Sequence, residues 1–145
     1  MASWRDSASA SAQDDLDGLL SIVLPFAEEM LGKHGEFFPF GGSISSHGHP
    51  SLTAAEPGLG EHPSPDRLLA SLYEGARTEA TTTRAVAFVA DVRADGSDAV
   101  RIELEHLEGV ALVALLPYTR GRIKKTPAFG QMSVSRGEPK IWGPH

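Results

Sequence analysis

Apolar residues recur at three- and four-residue steps early in the chain: Leu16, Leu19, Leu20, Val23, Phe26, Ala27, Met30 and Leu31. That period predicts a helix from Asp14 to Lys33 with one buried stripe. Asp14, Asp15 and Asp17 stand at its start, where acids complement the helix dipole, and Gly32 or Gly35 ends it. Pro25 removes one backbone donor and predicts a kink. A second stripe, Leu68, Leu69, Leu72, Tyr73 and Ala76, predicts a helix from Ser64 to Ala80. Ser64 is its N-cap and Pro65 suits the first helical position.

The period then shortens to two. Arg84 to Arg93, Asp98 to His106 and Val110 to Tyr118 read as strands, with Asp95-Gly96 and Glu108-Gly109 as turns. Val100, Ile102 and Leu104 alternate with Arg101, Glu103 and Glu105, which predicts one buried and one wet face. Val110 to Leu116 is apolar on both faces and is expected to be the central strand. The connections are too short for crossover helices, so the three strands form an antiparallel meander. Phe37 to Ser45 and Ser51 to Ala55 predict a hairpin around His47-Gly48-His49-Pro50, followed by a Gly/Pro-rich loop from Glu56 to Ser64. Phe129 to Ser135 and Lys140 to Trp142 suggest a last hairpin around Arg136-Gly137-Glu138-Pro139.

The expected class is α+β: an antiparallel β-sheet, a hairpin plus a three-strand meander, flanked by two helices that shield one apolar side. This order of elements resembles the profilin-like and roadblock-like group. Residues 14–145 are expected to form one domain. Residues 1–13 are Ser/Ala-rich with little to bury, and are expected to be disordered.

Composition narrows the chemistry. The chain of 145 residues has no cysteine, which excludes disulfides, thiolate metal sites and cysteine nucleophiles. No apolar run reaches the ~18 residues of a membrane span, and the start lacks a secretory signal, so a cytoplasmic protein is expected. The net charge of −6 argues against nucleic acid as the main partner. The charge is uneven, however. Tyr118 to His145 holds six Lys/Arg against one Glu, while Met1 to Pro117 holds seven Lys/Arg against eighteen Asp/Glu.

Four constellations could carry chemistry. His47 and His49 sit two apart on an extended chain, which places both imidazoles on one side, and His62 follows in the next loop. They are a candidate metal set, although surface histidines in a turn explain them as well. Glu103 and Glu105 share a strand face, and paired carboxylates can split their pKa values for acid–base work. A solvated strand face beside Arg101 is the plainer reading, with His106 as a satisfied histidine at the edge of the core. Arg120, Arg122, Lys124 and Lys125 crowd a Gly-containing loop that could grip an anion or an acidic partner. A charged loop that guards a sheet edge accounts for them too. The corner from His34 to Gly41 packs three phenylalanines and a proline between glycines. It could line a pocket with His34, Glu36, Phe38 and Tyr118, or simply plug the core. No nucleophile elbow, phosphate loop or dinucleotide fingerprint is present.

The stretches HGEFFPFGGSIS, DAVRIELEHLEG and ALLPYTRG resemble a set of small uncharacterised bacterial proteins, actinobacterial in type, that share a His-Gly-Glu-Phe-x-Pro-Phe-Gly corner. The resemblance spans about Leu16 to Gly143 and implies no activity, cofactor or site residue. The leading expectation is a non-enzymatic protein-interaction or regulatory module, such as an immunity-type partner-binding protein, with a protein partner or a homodimer and no cofactor. A small enzyme or ligand-binding domain at the phenylalanine corner is the alternative, followed by a histidine metal site.

Overall fold

The computed structural model describes residues 3–54, 64–120 and 127–142. A short helix α1 (Trp4–Ser7) leads into the long helix α2 (Ala10–His34). Disorder was expected over residues 1–13; from residue 3, where the description begins, serine caps organise helices instead. Ser3 accepts from the Arg5 amide, Asp6 reaches back to the Ser3 amide, and Ser9 caps α2 through the Ala12 amide. Arg5 then pairs with Asp17 at 2.7 Å, and Ala12 is fully buried. The helix runs through Pro25, which lies on its solvent side, and ends at Gly35 (φ 74°).

The strands β1 (Phe40–Ser45) and β2 (Pro50–Ala54) form the first hairpin. Helix α3 (Pro65–Thr78) starts on the Ser64 cap with proline in its first turn, as its sequence predicts. The meander follows as β3 (Thr83–Ala94), β4 (Ser97–His106) and β5 (Val110–Arg120), antiparallel throughout. Its first turn places Asp95 (φ 52°) and Gly96 (φ 77°) both in the left-handed region, which suits the twist of a tight hairpin.

The strand order is β2-β1-β3-β4-β5, with two short strands, β6 (Pro127–Phe129) and β7 (Ser133–Arg136), both paired to the outer side of β5. This replaces the expected last hairpin: residues 140–142 are not a strand. Gly130 and Gly137 donate to the carbonyls of Pro117 and Ala111, so the odd-numbered positions of β5 face outward. Pro117 is one of them and has no N–H to give, and there the outer ladder breaks into β6 and β7.

The two helices lie on opposite faces, not together on one. Leu16, Leu19, Val23, Ala27 and Leu31 of α2 close over Phe40, Ile44, Ala87, Val89, Val100, Ile102, Ala114 and Leu116. Gly42 permits this approach, since a Cβ there would stand 2.8 Å from the Val23 side chain. On the other face, Leu72 of α3 packs with Val86, Phe88 and Ile141. β5 is therefore neither central nor buried on both sides, and alternate residues from Leu112 to Tyr118 are covered. β4 is the more enclosed strand, with nearly every residue from Ala99 to His106 buried.

Candidate functional site

The covering of β4 brings together a group of ionisable side chains. Val100, Ile102 and Leu104 turn toward α2, so alternation sends Arg101, Glu103 and Glu105 to the α3 face. That face was expected to be wet, yet Glu103 and Glu105 are only 8% and 5% exposed. The C-terminal segment crosses them. Glu105 accepts backbone N–H bonds from Lys140 (2.7 Å), Ile141 (3.1 Å to each oxygen) and Trp142 (2.8 Å). Glu103 accepts from the Tyr73 hydroxyl of α3 and from Arg101 (2.9 Å), and lies 3.3 Å from the Lys140 ammonium. Burial and the Glu103 carboxylate push the Tyr73 phenol up. The segment is tied further where Arg77 donates to the Lys140 carbonyl (3.0 Å) and the Trp142 indole to the Ala80 carbonyl (3.2 Å). Beside it a cleft of about 220 Å3 opens between Arg101, Glu103, Val113, Arg136 and Lys140.

Acid–base use of the pair needs a carboxylate oxygen facing a substrate. Both oxygens of Glu105 hold backbone amides, and those of Glu103 hold Tyr73, Arg101 and Lys140. The arrangement is a clamp that fixes a chain segment to a sheet.

A second polar cluster sits at one end of the α2 face. His106 is 2% exposed and its Nε2 is 2.8 Å from Asp15 Oδ2. The Glu108 amide donates to Nδ1 (3.1 Å), which leaves the ring proton on Nε2, donated to Asp15. Arg84 completes the group at 3.0 Å from both Asp15 oxygens. Burial pushes the Asp15 carboxyl up, but the bonds from His106 and Arg84 outweigh it and hold it below the usual carboxylate range. With both ring nitrogens engaged, His106 is the satisfied core histidine that its place on β4 suggested.

The phenylalanine corner divides. Phe40 packs edge-on against Phe26 (4.8 Å) and Phe37 (5.6 Å), so two of its three aromatics plug the core. Phe38 is 66% exposed, and His34 and Glu36 are exposed as well. Tyr118 is buried and donates to Asp91 (2.6 Å), while Arg120 donates to its hydroxyl (3.2 Å) and stands 5.7 Å over its ring. Burial and Asp91 push the Tyr118 phenol up to about 12. Burial also raises the Asp91 carboxyl, against the Tyr118 hydrogen bond and the Arg120 charge, and the charges of Asp98 and Glu36 add to the rise. Of the expected ligand set, Tyr118 is buried in this network, whereas His34, Glu36 and Phe38 are exposed.

His47 and His49 occupy the exposed β1–β2 turn, where the Ser45 hydroxyl accepts both their amides. His62 lies outside the described residues, as do Arg122, Lys124 and Lys125. Among the described residues no three His, Asp or Glu side chains gather as a metal site. No described helix is long and apolar enough to cross a membrane. The chain matches no protein-family model, no curated protein and no solved structure.

Sequence reasoning missed Asp15, Arg84, Asp91, Tyr73 and Lys140. One signal for Asp15 was available: it stands three residues after Ala12 and four before Leu19, and an acid on an apolar stripe calls for a buried partner. Nothing local announced Lys140.

Proposed function

We propose that this chain is a non-catalytic protein-interaction module. The observation that carries the reading is the pair of open sheet edges. All five residues of β2 are exposed, with Leu52 at 43%, and all four of β7, with Val134 at 48%. Among the described residues no strand pairs the outer side of either. Open edges offer a ready ladder of backbone donors and acceptors to an incoming chain. The buried ionisable groups support the same reading from inside, because Glu103, Glu105, Asp15 and His106 all serve as ties between elements.

In β2 the bond from Ser45 to the His49 carbonyl sets positions 51 and 53 inward and 50, 52 and 54 outward. In β7 the bond from Gly137 to Ala111 sets 134 and 136 outward. Proline at 52 or 134 therefore removes an outward donor and leaves the inner ladder intact. Cross-linking in the source cells, followed by purification, is expected to give a stoichiometric partner with the wild-type chain. The folded double variant Leu52→Pro/Val134→Pro is expected to lose it. Equal capture by both proteins, or no partner for either, sinks the reading.

A further inference from the structure

We infer that the groove between α3 and β4, which holds residues 140–142, is a segment-binding site that takes in trans a segment of another protein with the order cation, aliphatic, aromatic. The inference goes beyond the interaction-module reading and does not use the two open edges. The occupant in the structure shows what the site reads. Glu105 accepts the amides of Lys140, Ile141 and Trp142, three consecutive N–H groups of one chain. Any residue but proline supplies such a group, so this contact selects a backbone shape. Three further contacts select side chains. Glu103 lies 3.3 Å from the Lys140 ammonium. Leu72, Val86 and Phe88 pack with Ile141. The Ala80 carbonyl accepts from the Trp142 indole at 3.2 Å.

The occupant is exchangeable because little beyond its own three residues holds it. Glu138 and Pro139, which join it to Gly137, are both exposed, and Pro139 has no N–H to donate. A short irregular segment tied by a few directional bonds opens at lower cost than the sheet beneath it. Vacated, the groove presents two carboxylates beside an apolar floor. Glu103 then keeps Tyr73 and Arg101, whereas every bond to Glu105 comes from the lost segment. A carboxylate so placed calls for donors, and consecutive amides of a second chain supply them in the geometry already built. The acidic groove also favours a segment that carries a cation, as Lys140 does. The cleft of about 220 Å3 beside it continues the groove over Phe88 and Val113, surface that residues 140–142 leave open to a longer segment.

The test uses the full chain and a labelled peptide, Gly-Glu-Pro-Lys-Ile-Trp, which copies residues 137–142, with binding read by fluorescence anisotropy. A tethered occupant competes at high effective concentration, so the wild-type chain is expected to bind the peptide weakly. Ile141→Asp in the chain places a charge in the apolar cluster and empties the groove. It is expected to bind the peptide at least about tenfold more tightly than wild type. Lys140→Glu sets a like charge against Glu103 and leaves the cluster whole; it is expected to gain in the same direction, and it decides the matter if Ile141→Asp fails to fold. The same peptide carrying Ile141→Asp is expected not to bind, and Glu105→Gln added to either opened chain is expected to remove the gain. Equal binding by wild-type and opened chains, or a gain that survives Glu105→Gln, overturns the inference. Concentration-dependent dimerisation of the wild-type chain abolished by Ile141→Asp also overturns it, by giving the groove to a second copy. If the peptide fails while Leu52→Pro/Val134→Pro still loses a cross-linked partner, the inference falls and the interaction-module reading stands.

Discussion

Beneath α2 the sheet presents Ala87, Val89, Val100, Ile102, Ala114 and Leu116 to Leu19, Val23 and Ala27, an interior whose middle is apolar throughout. Beneath α3 and the C-terminal segment it presents Val86 and Phe88 next to two carboxylates, and Glu105 alone holds three consecutive backbone amides. The first face is closed by burial, which is non-directional and cooperative. The second is closed by hydrogen bonds to a charge, which are directional and belong to a short segment. One face should therefore fail as part of the whole domain and the other piece by piece.

The largest expected effect lies on the α2 face. Leu19 is fully buried, and Leu19→Ala should cost about 2–5 kcal/mol through lost transfer energy and the cavity left behind. Urea unfolding should remain a single transition at a lower midpoint, with amide protection lost across β3, β4 and β5 together. If protection falls only near residue 19, the face is not a cooperative unit.

Glu105→Gln sharpens the contrast. Glutamine keeps the shape but brings an NH2 group against amide donors, so at least one donor loses its acceptor. The loss should be about 1.5–3 kcal/mol, the range for hydrogen bonds to charged groups. It should also be local: hydrogen exchange at Lys140, Ile141 and Trp142 should accelerate while the α2 face stays protected. Uniform acceleration over the whole sheet would mean that the clamp and the core are one unit.

The same contrast separates what the sequence disclosed from what it concealed. The meander was legible because alternation and Asp95-Gly96 are local signals, and the turn adopts the positive φ pair that such a dipeptide favours. The serine cap and first-turn proline of α3 were equally local. The burial of β4 was not, because Glu105 is covered by residues some 35 positions further along the chain, held through backbone amides that leave no trace in side-chain pattern. The apolar run of β5 misled for the converse reason. Its second face meets the rim of a cleft, where apolar side chains such as Val113 need no full cover. Of the candidate site residues, Tyr118 reaches Asp91 of β3 across the intervening β4. Their separation in sequence gave no hint of it.

The smallest expected effects come from the acids at the two ends of the α2 face, and they have opposite signs. Asp15 is held below the usual carboxylate range, so its folded state favours the charged form. Its contribution is present above the unfolded pKa and is lost as pH falls through the folded value. Asp91 is raised by burial, so its folded state favours the neutral form. Its charge opposes folding at neutral pH, and that opposition fades as pH falls through the raised value. Asp15→Asn should accordingly lower stability at pH 7 by about 1 kcal/mol and flatten the acid limb of the stability curve. Asp91→Asn, which keeps an oxygen for the Tyr118 hydroxyl, should raise stability at pH 7 by a few tenths of a kcal/mol, because Asp91 is only partly enclosed. Chemical denaturation of both variants from pH 3 to pH 8 tests the pair. Shifts of the same sign would show that Asp91, like Asp15, is a stabilising tie, and that both ends of the α2 face are held by charge.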